Sequence, residues 1–232
     1  MSQQSNFSPK RRSFLSFLNF RAAAIAAMAA TGTAVAQEKA AERWEPARHP
    51  KDDWLDQLPG KHRLVFDTTT ANGFGEALAF AGNFLRVNQA DYGLQDKDVA
   101  IVIVARHGST SFAYNDAMWA KYGKQIGTQI KFDDPKTKQA PAINVYNVTD
   151  YGPLLPNHAT SVDALVKRGV HFAVCSMATR AYSGLIAGKG GAETDAIFAE
   201  LTANLVGNSR MAPAGVVAVS RAQERGYTLV TC

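Results

Sequence analysis

The chain has 232 residues, with 25 lysines and arginines against 20 aspartates and glutamates, a net charge of +5 and a pI near 9.2. Four of the basic residues (Lys10, Arg11, Arg12 and Arg21) and none of the acidic ones precede Gln37, so the remainder is close to neutral. The basic pI therefore belongs to the N-terminus and gives no support to nucleic-acid binding.

That N-terminus reads as an address. Lys10-Arg11-Arg12-Ser13-Phe14-Leu15 has the form of a twin-arginine export motif, followed by an alanine-rich apolar run over 22–30. Ala34-Val35-Ala36 then makes a small-residue cleavage site before Gln37. The run is shorter than the ~20 apolar residues of a membrane span, and Arg21 interrupts its start. The expectation is a signal peptide over 1–36 and a periplasmic mature chain with no membrane anchor. Residues 37–60 are polar, hold Trp44, Trp54 and three prolines, and carry too little apolar surface to fold alone. They read as an N-terminal arm without chemistry, with Trp54, Leu55 and Leu58 left to pack on the domain or on a neighbouring subunit.

From residue 61 to 232 strand and helix alternate, the pattern of an α/β layered domain. Arg63–Thr69 reads as the first strand, and Asn72-Gly73-Phe74-Gly75 turns into a helix that ends near Tyr92, with Gly93 as its left-handed stop. Gly73-x-Gly75 invites a dinucleotide reading, but Leu78 stands where the third glycine belongs, so no cofactor is expected. Val99–Ala105 is seven apolar residues in a row, as a central parallel strand covered on both faces requires. It runs into Arg106-His107-Gly108, and a helix is expected around Asn115–Tyr122. Residues 123–159 are punctuated by glycine and proline and read as a long insertion. Thr160-Ser161-Val162-Asp163 has the form of a capping box for a helix stopping at Gly169.

The next strand opens at Gly169-Val170 and places Cys175 at its carboxyl end, before a helix. A thiol there meets the positive end of a helix dipole, which favours the nucleophilic thiolate; a small buried hydrophobe is the plainer reading of the same residue. An amphipathic helix follows over Thr194–Leu205, then a short strand near Arg210-Met211. Only seven residues separate the apolar run at 216–219 from that at 227–231, too few for a parallel crossover. Residues 213–225 are therefore read as a helix with Pro213 at its first position, and Tyr227–Thr231 as the last strand.

Gly169-Val170, Cys175, Ala178 and Arg180, with Gly184 displaced by Ala181-Tyr182-Ser183, resemble the DsrE/DsrF/TusD-like sulfur-relay family. Pro213-Ala214-Gly215-Val216-Val217-Ala218, leading to Gly226-Tyr227, extends the resemblance over about the last 170 residues. It implies a three-layer α/β/α fold with a mainly parallel five-stranded sheet. It also implies a homo-oligomer, trimer or hexamer, and a persulfide on Cys175 received from a donor protein and passed to an acceptor. Export sets this chain apart from the typically cytoplasmic relay members. A non-enzymatic periplasmic binding or scaffolding module on the same fold is the alternative.

Ligands of open α/β sheets bind beyond the carboxyl ends of the strands, which brings His107, Cys175 and Cys232 toward one edge. His107 is a candidate proton shuttle for the thiol, and Arg180 a candidate anion contact. His171 and Cys175 share a strand face, but no C-x-x-C or H-x-x-x-H accompanies them, so no metal is expected. For the two cysteines the strand order decides. With the fourth strand between the third and fifth, two spacings of about 4.8 Å hold them ~10 Å apart, beyond a disulfide's reach; as direct neighbours they would bridge. The resemblance covers Cys175 alone, and two free thiols with unequal roles are expected, Cys232 being the second.

Overall fold

The computed structural model describes residues 45–188 and 191–232; the signal peptide read over 1–36 and the first part of the arm lie outside the described residues. Five strands form one all-parallel sheet in the order β4-β3-β2-β1-β5. They are β1 (His62–Thr68), β2 (Val99–Ala105), β3 (His171–Cys175), β4 (Ser209–Ala212) and β5 (Thr228–Thr231). The long helices are α2 (Ala71–Tyr92), α3 (Asp116–Ile130), α5 (Ser176–Ala187), α6 (Gly191–Ala203) and α7 (Gly215–Gln223), and the short ones α1 (Trp54–Gln57) and α4 (Val162–Lys167).

The chain steps along the sheet from β1 to β4, with α2 to α6 laid on one face. It then returns the whole width of the sheet to place β5 beside β1. A return in the opposite direction, kept to the same crossover hand, must travel over the opposite face. Accordingly Ala218, Val219 and Ala222 of α7 pack on Val65, Val102, Val104 and Ala173, whereas Phe74, Leu78, Trp119, Tyr182 and Leu201 fill the core of the other face. The α/β layering expected from the alternation is thus present, as is the three-layer α/β/α arrangement that the resemblance implies, with all five strands parallel. β2, the central strand, is buried at every position, which is why it reads as an unbroken apolar run.

Helix α7 is only nine residues long and leaves part of its face bare. Residues 50–58 cover the gap, so this part of the segment read as an arm is integral to the domain. Trp54, Leu55 and Leu58 are buried in the second core. Arg63 donates to the Leu55 carbonyl at 2.9 Å, Tyr227 Oη donates to the same carbonyl at 2.8 Å, and the fully buried Arg225 donates to Asp56 at 2.9 Å. Its apolar residues are few, but they are spaced on one side of a single turn.

The insertion read over 123–159 is shorter than expected, because α3 runs on to Ile130. Gly123 and Gly127, taken as punctuation, are contact points inside the helix. A Cβ on Gly123 would stand 1.9 Å from the Pro141 carbonyl oxygen, and one on Gly127 would stand 2.9 Å from that of Phe132. The segment after α3 is tied to the core through buried Val145, Tyr146, Tyr151 and Leu155, and Asn144 Nδ2 donates to the carbonyls of Phe112 and Tyr114.

Two boundaries also differ. Ser161, one residue later than expected, caps α4 by accepting from the Ala164 N–H at 3.2 Å, while Thr160 packs against Gly82. Helix α7 begins at Gly215 with Ala214 as its N-cap, so Pro213 precedes the helix.

Candidate functional site

The strands end nearly level. Val174 lies opposite Ala105, Ala105 opposite Thr68, Asp67 opposite Thr231 and Cys175 opposite Ala212. Cys175, Arg106 and Cys232 therefore arrive at one edge. After β3 the chain turns to one face of the sheet, and after β4 to the other. The crevice between their carboxyl ends is the point where the winding reverses, the usual ligand position in open α/β sheets. Cys175 stands at that point.

Cys175 is also the N-cap of α5, and its Sγ accepts the Ala178 N–H at 3.4 Å. Serine, threonine, aspartate or asparagine normally fill that role; sulfur accepts more weakly but is a nucleophile. The helix start is held from several sides. Thr179 Oγ1 donates to the Cys175 carbonyl at 3.0 Å, Tyr114 Oη donates to Thr179 Oγ1 at 3.0 Å, and Tyr182 Oη donates to the His107 carbonyl at 2.9 Å. Cys175 keeps 7% of its surface exposed.

Sequence reasoning passed over the pair beside it. Arg106 Nε and Nη2 donate to the two carboxylate oxygens of Asp67 at 2.6 and 2.8 Å. The hydrogen bond to Asp67 raises the Arg106 pKa; burial works against this, and the charges of Asp67 and of Cys175 add to it. Alternation explains the grouping. Val65 and Val104 face α7, so Asp67 and Arg106, two residues on, do the same, and Cys175 follows Ala173 to that side. The available signal was an aspartate directly after the apolar run Leu64-Val65-Phe66 of β1, but its partner lies 39 residues away.

His107 follows Arg106 in a left-handed backbone conformation, φ 55°, and its side chain is exposed. It lines a cavity of about 360 Å³ with Thr69, Thr70, Lys131, Ala178 and Tyr182; Cys175 does not line that cavity, although Ala178 and Tyr182 of its own helix do. Among the described residues no hydrogen bond joins the His107 ring to the thiol. Arg180 makes no hydrogen bond or ion pair with Cys175 among the described residues. It pairs with Asp195 of α6 and stacks over Phe198 at 4.0 Å, so it secures the α5–α6 contact. His171, four residues before Cys175, sits against Trp54.

Neither strand order weighed for the cysteines is the one found. β2 and β1 lie between β3 and β5, so three spacings, about 14 Å, separate the two backbones. Both thiols are free. Cys232 is half-buried on the α2 side, its N–H donating to the Asp67 carbonyl at 3.0 Å. Burial first, then the charges of Glu76 and Asp67, push its thiol up to about 11. Its backbone passes so close to α2 that a Cβ on Gly73 would stand 2.6 Å from it. Gly75 gives similar room to the Tyr146 ring, so both glycines of the incomplete dinucleotide motif serve packing.

No family model matches the chain, and no curated protein does. Among solved structures, that of the protein of unknown function MTH1491 from Methanobacterium thermoautotrophicum is similar, with 17% sequence identity and a TM-score of 0.38 over 74% of this chain and 100% of that one. A likeness at this level bears on neither activity nor partners.

Proposed function

We propose that this chain is an exported sulfur carrier that holds sulfane sulfur as a persulfide on Cys175 and yields it to a partner thiol. The observation that carries the reading is the position of Cys175 Sγ as the N-cap of a twelve-residue helix at the winding reversal of the sheet. The Ala178 N–H and the start of the helix both turn positive partial charge toward that sulfur. Thiolate attack on a sulfane sulfur is the chemistry of thiol–disulfide exchange, and the perthiolate formed carries the same charge as the thiolate it replaces. The reading includes export through residues 1–36 to the periplasm and a homo-oligomeric assembly.

Incubation of the mature protein with polysulfide should add the mass of sulfur to the intact chain, and Cys175→Ser should abolish the gain. No uptake, or equal uptake by Cys175→Ser and Cys232→Ser, would overturn the reading. One observation favours a second reading, a binding or scaffolding module with an inert thiol: 93% of the Cys175 surface is covered, since 7% remains exposed. Alkylation at graded pH separates the two, because an inert thiol reacts slowly at every pH short of unfolding. Lysines in place of Arg11 and Arg12 should block export, and light scattering reports the oligomer.

A further inference from the structure

We propose that Arg106, held in place by Asp67, is the anion-recognising residue of the Cys175 site, and that the donor taken there is a small sulfane-sulfur anion of the thiosulfate type. The inference rests on the reading of Cys175 as a sulfur-accepting thiol.

The geometry gives the pair a direction. β2 lies between β1 and β3, so the guanidinium stem rises between the Asp67 carboxylate and the thiol. The Asp67 side chain is 11% exposed and that of Arg106 32%. The carboxylate is thus the more buried partner, and the part-exposed guanidinium belongs to the residue that follows β2 at the same carboxyl edge of the sheet as Cys175. Asp67 takes Nε and Nη2, and among the described residues Nη1 has no protein partner. The stem is pinned from above by Gly215, where a Cβ would stand 2.3 Å from Arg106 Cβ and 2.9 Å from Cδ. A guanidinium with one edge occupied and the other open matches an oxyanion with two or three acceptor oxygens.

Chemistry sets the need for it. In the transfer the Cys175 thiolate attacks the outer sulfur of S–SO3(2−). The new Cys175–S bond forms, the S–S bond breaks, and its electron pair leaves with sulfite. One perthiolate and one sulfite result, with charge conserved and no external oxidant. An anion approaching a dianion is repelled, so this step needs a fixed cation where the two meet. The 7% exposure of Cys175 suits a small donor better than a persulfide carried on another protein.

The test uses the mature Cys232→Ser protein, in which Cys175 is the remaining thiol. Its alkylation by iodoacetate, an anion, is compared with that by neutral iodoacetamide, each rate normalised to free cysteine and followed across pH. Arg106→Gln should lower the iodoacetate-to-iodoacetamide ratio about tenfold, the scale of a charge-assisted hydrogen bond, with partial rescue in Arg106→Lys. Sulfite release from thiosulfate should fall in parallel, while loading from a neutral organic trisulfide is retained. A merely structural role would alter both alkylations alike. An unchanged ratio with Cys175 still reactive would overturn the role of Arg106 and leave the carrier reading standing. Failure of both reagents to reach Cys175 would overturn the carrier reading and this proposal with it. Should Arg106→Gln not fold, the same ratio is measured against salt with Arg106 intact, where screening should reduce it and a flat response would refute the proposal.

Discussion

Gly215→Ala probes the packing that holds Arg106. An added Cβ would stand 2.3 Å from Arg106 Cβ, 2.9 Å from Cδ and 3.1 Å from Cγ, where ordinary contacts begin at 3.4 Å. One partner must yield by about 1 Å, which is overpacking of the kind that costs ~1–3 kcal/mol. The Arg106 stem has little freedom, since two hydrogen bonds tie its head to a buried carboxylate. Alanine recovers part of the cost, up to ~1 kcal/mol in a helix interior and less at a first position. The net loss is about 1–2 kcal/mol, or roughly 2–8 °C in Tm for a domain of this size. Thermal and denaturant melts measure it. Gly184→Ala in α5 is the control, because its Cβ would meet nothing within 4 Å. That variant should gain about 0.4–1 kcal/mol. If Gly215→Ala melts with or above Gly184→Ala, the close approach of α7 to Arg106 is not a real constraint and the account of how the guanidinium is fixed is refuted.

Cys175→Ser should lose all sulfur uptake while keeping its unfolding free energy within about 1 kcal/mol of the parent, because serine is a preferred N-cap; a collapse in stability would mean the thiol is chiefly core. Gly123→Ala should be among the most damaging small substitutions, losing about 3 kcal/mol in denaturant melts, since its Cβ would press on the Pro141 carbonyl at 1.9 Å and backbone cannot rotate away. Cys232 has its thiol raised from 9.0 to about 11 by burial, Glu76 and Asp67, so the folded chain disfavours its thiolate. Its contribution to stability is fully present below the unfolded thiol's pKa and is lost as pH rises through about 11. Melts at alkaline pH should show a shallower decline in Cys232→Ser than in the parent. His171, lowered by burial and then by the charge of Arg210, acts at the other end: stability is present above its unfolded pKa and is lost as pH falls below 6.5, less so in His171→Leu.

What the sequence determined by itself was local. The unbroken apolar run of β2, the left-handed stop at Gly93 and the placement of Cys175 between strand and helix follow from short-range pattern and backbone preference. So did the choice of α7 over a strand, because a parallel crossover has a minimum length. Tertiary structure decided whatever depends on which segments become neighbours. Parallel strands joined by helices carry no local mark of their order, so β5 settled beside β1 and the cysteines ended three strands apart. The glycines of α3 look like breaks until the Pro141 carbonyl is seen resting on Gly123 and the Phe132 carbonyl on Gly127. Arg180 looks like a site residue until Asp195 and Phe198 take it up. Asp67 and Arg106 meet only because two strands run in register, and an ion pair made across 39 residues leaves no periodicity in either strand to announce it.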